Sequence, residues 1–153
     1  MGVTLIVDGA NVMGSRADGW WRDRAGAMAR LHGELAELAV RGIPGPIPGD
    51  GVASDEPDPG ETGGSGAGDR WFPDIVLVVE GRARKVLDLG PRSPDVRVVA
   101  ARGEGDDEIA GLAGRLPGRR IVVTADRELR RRSEAAGAAV AGPRWLTRLL
   151  GQA

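Results

Sequence analysis

A chain of 153 residues with a net charge of −1 fits one domain and can bury a core without covalent staples. The absence of cysteine excludes disulfides, thiolate zinc sites and cysteine nucleophiles, and a single histidine argues against a Ser-His-Asp hydrolase or a multi-histidine metal site. Any metal must be held by oxygen ligands, which favours Mg²⁺ or Mn²⁺ over Zn²⁺, and with no global basic field any nucleic-acid binding must come from local arginine patches.

Val3–Val7 is a continuous, mostly branched apolar run, the pattern of a buried parallel strand. It is too short to span a membrane and has no charged leader, so a cytoplasmic protein is expected. A loop to about Gly19 follows, then a helix from roughly Trp21 to Val40. Met28, Leu31, Leu35 and Leu38 recur there every three or four residues as one apolar stripe. His32 lies beside the stripe and is assigned no role. From Gly42 to about Arg70 the composition turns to Gly, Pro, Asp, Ser and Glu, which cannot bury enough surface to offset ordering entropy. This stretch reads as a disordered insertion within the single domain 1–153. Ile75–Val79 is a second strand ending in Glu80-Gly81, and a basic stretch, Arg82 to Leu89, follows it. Val96–Ala100 is a third strand. Asp106 or Asp107 opens a helix carrying Ile109, Leu112, Ala113 and Leu116, stopped at Pro117-Gly118. Ile121–Thr124 is a fourth strand, and a helix from about Arg127 stops at Gly137. Ala138–Val140 is a weak fifth strand, and a last helix from Pro143 turns Trp145, Leu146, Leu149 and Leu150 inward.

Strands alternating with helices predict an α/β domain of three layers, a parallel sheet with helices on both faces. Right-handed crossovers suggest the strand order 3-2-1-4-5, with strands one and four adjacent at the switch point where ligands bind. Three acidic signatures then follow strand ends: Asp8-Gly9-Ala10-Asn11, Asp106-Asp107 and Thr124-Ala125-Asp126. Carboxylates gathered on one rim repel unless a cation or a shared proton sits among them, so a divalent metal and phosphate chemistry are indicated. Each signature also has a plainer reading. The first is a good turn, and Asp106, Asp107 or Asp126 is a good helix cap. Asn11 could act as a neutral oxygen ligand or as a hydrogen-bond donor to phosphate. No G-x-G-x-x-G is present, which excludes the dinucleotide fingerprint.

Taken together, Asp-Gly-x-Asn after the first strand, the Asp-Asp helix start and Thr-x-Asp after the fourth strand resemble the NYN branch of the PIN-like nucleases. The resemblance covers most of the chain outside 42–70. It implies a PIN-like (Rossmann-like) fold, metal-dependent ribonuclease activity, and an acidic cluster at Asp8, Asp106 and Asp126 holding Mg²⁺ or Mn²⁺. Asn11 falls on the family's Asn, and Asp107 or Thr124 on its variable fourth position. Glu80-Gly81 departs from the family's Asp-Gly. That pair is also similar to the Toprim nucleotidyl-transfer fold, but the later Asp-x-Asp of that fold is missing here.

Around the rim, Arg82, Arg84 and Lys85 follow the second strand, and Arg127, Arg130, Arg131 and Arg132 follow Asp126. They read either as ordinary solvated faces or as clamps for the phosphates of an RNA strand. Of the adjacent Trp20 and Trp21, one can be core while the other, taken as Trp21, stacks on a base. The expected function is hydrolysis of RNA phosphodiester bonds by a metal-dependent endoribonuclease, with Asp8, Asn11, Asp106, Asp107, Thr124 and Asp126 at the centre and Arg82, Arg84, Arg127 and Trp21 on the strand. A nucleotide pyrophosphohydrolase or phosphatase, and a non-catalytic RNA-binding or protein-interaction module, are the alternatives.

Overall fold

The computed structural model describes residues 2–15, 22–45, 47, 70–79, 96–101 and 105–150. The elements run β1 (Val3–Asp8), α1 (Gly9–Gly14), α2 (Arg24–Arg41), β2 (Ile43–Pro44), β3 (Arg70–Trp71), β4 (Asp74–Val79), β5 (Val96–Ala100), α3 (Gly105–Arg115), β6 (Arg119–Val123), α4 (Arg127–Ala135), β7 (Ala139–Ala141) and α5 (Pro143–Leu150). Five strands form one sheet in the order β5-β4-β1-β6-β7, and every pair in it is parallel. Counting the long sheet alone, this is the expected 3-2-1-4-5. The detail that differs is a separate antiparallel ribbon of β2 and β3, in which Ile43 faces Trp71.

The strands explain the layering, because alternate side chains leave opposite faces. Leu5 and Val7 of β1, with Ile75, Leu77, Val79, Ile121 and Val123, pack against α1, α2 and α5. Ile6, Val76, Val78 and Val122 pack against α3 and α4 through Ile109, Leu112, Ala113 and Leu129. Leu5, Ile6 and Val7 are all fully buried, which is why the run reads as continuous rather than alternating. Each such side chain contributes about 1.5–3 kcal/mol by leaving water.

Four expectations are corrected. The segment after β1 is not a loop from its start, since α1 begins at once, with Asp8 as its N-cap accepting from Asn11 N at 3.2 Å. Gly9 permits this, because a Cβ there would stand 2.7 Å from the Val78 carbonyl oxygen. The long helix begins at Arg24, capped by Asp23, and Trp20 and Trp21 lie outside the described residues. The ends of the 42–70 stretch are ordered. Ile43 is buried, Ile47 and Trp71 pack on the core, and Arg70 donates to the Gly42 carbonyl oxygen at 3.3 Å. The fourth strand is Arg119–Val123 and the fifth Ala139–Ala141, each shifted because the ladder to the neighbouring strand, not local composition, decides where a strand ends.

At the opposite end of the sheet, Arg120 binds the closing turns of two helices. Its guanidinium donates to the carbonyl oxygens of Leu116 and Gly118, both at 3.2 Å, and of Ala136 at 3.1 Å. A cation suits the negative ends of α3 and α4. Among the described residues, no helix is long and apolar enough to cross a membrane.

Candidate active site

β1 and β6 lie side by side, with Val7 level with Val123, so Asp8 and Thr124 are the next residues on adjacent strand ends. Both are buried, Thr124 fully and Asp8 to 8% exposure. The Thr124 hydroxyl donates to Asp8 Oδ2 at 3.0 Å and accepts from Asp126 N at 3.1 Å. Its one proton is therefore directed at the carboxylate, and its lone pair holds the loop that leads into α4. The Thr124 N–H itself donates to the Ala141 carbonyl oxygen at 3.0 Å, which anchors this loop to β7. Asp8 Oδ1 takes the Asn11 N–H, so the first carboxylate is held through both of its oxygens.

Two further contacts complete the rim. Asn11 Oδ1 accepts from the Ala125 N–H at 2.9 Å, linking α1 to the loop after β6. Asp126 caps α4 by accepting from Leu129 N at 2.9 Å. Asp8, Asn11, Thr124 and Asp126 are thus brought together. The backbone N–H of Ala125 is a member of the site that side-chain reasoning passed over. The Thr-x-Asp spacing is the signal that could have found it, because it leaves one exposed N–H between two anchored residues.

Asp106 and Asp107 are placed differently. Both lie in the first turn of α3, after the edge strand β5. That strand is two positions from β1, roughly 10 Å by ordinary strand spacing. Asp107 points outward, with 74% of its side chain exposed, and pairs with Arg132 of α4 at 3.1 Å. It therefore ties two helices together instead of facing Asp8. Asp106 is half-buried. Among the described residues, no three His, Cys, Asp or Glu side chains gather as a metal-holding group. The expected trio of Asp8, Asp106 and Asp126 does not assemble there, and Asp106 sits on the helix that follows the edge strand. What does assemble is a hard, all-oxygen donor set with two carboxylates. Donors of this chemistry suit Mg²⁺, which is commonly held by one or two carboxylates together with substrate phosphates.

The arginines divide as well. Arg132 is committed to Asp107 and Arg131 to Glu128, whereas Arg127, next to Asp126, is exposed. Glu80, Arg82, Arg84, Lys85 and Trp21 lie outside the described residues. His32, part-buried on α2, has its pKa lowered by desolvation and stands away from this rim in sequence and element.

The sheet, its layers and the switch-point rim define a three-layer α/β domain with a PIN-like (Rossmann-like) fold. No family model and no curated protein matches the chain. Among solved structures it is similar to Rae1 (YacP) from Bacillus subtilis, with a TM-score of 0.65 over 98% of this chain and 74% of that one, at 19% sequence identity. A Trp-to-Leu variant of Rae1 gives a TM-score of 0.64 over 98% of this chain and 75% of that one, at 18% identity. At this level of identity the likeness is one of fold.

Proposed function

We propose that the chain is a ribonuclease of the NYN branch of the PIN-like class, cutting RNA phosphodiester bonds at the rim of Asp8, Asn11, Thr124 and Asp126, with Mg²⁺ or Mn²⁺ as cofactor. The observation that carries this reading is the Thr124 hydroxyl, which joins the carboxylate ending β1 to the loop bearing Asp126 on the adjacent strand. Two helices that merely needed caps would not require that link across the switch point.

In this reading Asp8 and Asp126 would hold the cation, and the ion would supply Lewis-acid stabilisation of the charge that develops on the phosphate. The protein's share is preorganisation. Asp8 is fixed by the Asn11 N–H and the Thr124 hydroxyl, and Asp126 by the Leu129 N–H, so neither carboxylate has to be ordered when the strand arrives. Exposed Arg127, next to Asp126, would contact a neighbouring phosphate, and Arg82, Arg84 and Trp21 are assigned to the strand from their places in the sequence, after the second strand and after Asn11.

The test is incubation of the purified protein with structured RNA, single-stranded RNA, single-stranded DNA and a nucleotide panel, in Mn²⁺ or EDTA. Cleavage of RNA in Mn²⁺, lost in EDTA and in folded Asp8→Asn and Asp126→Asn variants, is the expected result. Turnover of nucleotides but not RNA would transfer the site to a pyrophosphohydrolase. A second reading, a non-catalytic RNA-binding or protein-interaction module, is favoured by one observation: Asp8 and Asp126 both serve as helix caps. Failure of Mn²⁺ to raise the melting temperature, together with no cleavage, would select it.

A further inference from the structure

We infer that Asn11 meets its ligand through the amide N–H₂ and not through its oxygen, as a neutral hydrogen-bond donor to a phosphodiester oxygen of an RNA strand. The inference rests on the ribonuclease reading and deepens it by assigning the chemistry of one residue. The sequence leaves Asn11 two roles, oxygen ligand to a cation or donor to phosphate. The contact with Ala125 separates them. A backbone N–H only donates, so the group 2.9 Å from Ala125 N must be the amide oxygen. The orientation of the side chain is therefore dictated by chemistry and not by a choice between similar atoms.

The same residue is held a second time through its backbone, since Asn11 N donates to Asp8 Oδ1 at 3.2 Å. With the backbone pinned to Asp8 and the oxygen pinned to Ala125, the amide has no freedom to flip. Its two remaining donors then leave from the other side of the amide carbon. Among the described residues no acceptor meets Nδ2, and the contact with Ala125 itself lies at the exposed surface of the rim. A donor held this way, beside two carboxylates, is suited to an anionic oxygen that those carboxylates would repel. It has no lone pair to offer on that side, so it does not suit a cation.

The experiment uses the full chain and two variants. Asn11→Ala removes the donors. Asn11→Asp also removes them but keeps an oxygen for the Ala125 N–H, so it controls for folding. Fluorescence anisotropy in EDTA reads the binding of oligo-U and oligo-A RNA, and calorimetry reads Mn²⁺ binding without RNA. Asn11→Ala is expected to bind RNA about tenfold more weakly, and Asn11→Asp, which adds a negative charge, more weakly still, each by the same factor on both sequences, as the loss of a phosphate contact should be. Asn11→Ala is expected to keep the wild-type Mn²⁺ affinity. Weaker Mn²⁺ binding by Asn11→Ala would make the oxygen a cation ligand and overturn the inference. A loss confined to one sequence would overturn the phosphate assignment in favour of a base contact. Unchanged RNA binding in both variants sinks the inference and leaves the ribonuclease reading standing, whereas a wild-type protein that neither binds RNA nor cuts it in Mn²⁺ sinks both.

Discussion

Thr124 has no exposed surface, yet its hydroxyl makes one hydrogen bond to each of the two carboxylate-bearing segments. Valine has nearly the same shape but can neither donate nor accept. Thr124→Val should leave Asp8 Oδ2 and the Asp126 N–H each short of a partner, at a cost of about 1–3 kcal/mol in urea unfolding. It should also blunt the rise in melting temperature with Mn²⁺. A variant as stable and as responsive to Mn²⁺ as the parent would show that Thr124 is packing alone. His32 offers a separate check at this scale. Burial lowers its pKa, so between the ordinary imidazole value of about 6.5 and the lower folded value the unfolded chain binds more protons than the folded one. Its effect is neutral above that window, and stability should fall as pH drops through it. A chemical-denaturation series from pH 7 to pH 5 on the protein and on His32→Gln should show a shallower acid slope for the variant. Equal slopes would mean that His32 does not contribute.

Side-chain hydrogen bonds fasten several of the helix ends in this fold. Asp8, Asp23 and Asp126 each cap a helix, and at the other end of the sheet Arg120 closes two more turns through three carbonyl oxygens. Replacing that guanidinium with a methionine keeps the stem and removes every donor. Arg120→Met should lose roughly 2 kcal/mol, since bonds from a charged donor contribute about 1.5–3 kcal/mol and water can reach part of the site. Thermal melts of the variant would decide it, and a melting temperature equal to that of the parent would reduce these contacts to incidental ones. The site lies at the far end of the sheet, so the Mn²⁺ response should be kept.

At the scale of the molecule, the β2–β3 ribbon draws a boundary that composition drew too widely. Residues 48–69 hold almost no large apolar side chain, while Ile43, Ile47 and Trp71 on either side pack on the core, with Trp71 stacked on Trp145 at 6.4 Å between ring centroids. Exchanging 48–69 for a short Gly/Ser linker should change unfolding free energy by less than about 1 kcal/mol, because closure entropy varies slowly with loop length. The same exchange extended to 42–70 should cost several times as much, since it deletes buried Ile43 and with it a side chain worth about 1.5–3 kcal/mol. Similar losses from both exchanges, measured by urea titration, would place the inner segment in the core as well.

The order of strands, the two helical layers and the gathering of Asp8, Asn11, Thr124 and Asp126 at one end of the sheet were all legible in the chain. Each depends on patterns local in sequence: unbroken branched runs, apolar stripes at helical spacing, and polar residues directly after a strand. Burial on both faces compels such runs, and right-handed crossovers leave few ways to arrange them. The partners of those polar groups were not legible, because hydrogen bonds between residues more than a hundred positions apart depend on register. Asp107 shows the consequence: adjacent to Asp106 and of the same residue type, it turns outward to Arg132 because a helix sends consecutive side chains in different directions. Ile43 shows the same from the apolar side, a buried residue at the edge of a polar stretch, placed by its pairing with Trp71. Sequence determined which groups reach the rim of the sheet, and tertiary structure alone decided which of their atoms face one another, since a hydrogen bond is set by angstroms and a pattern by residues.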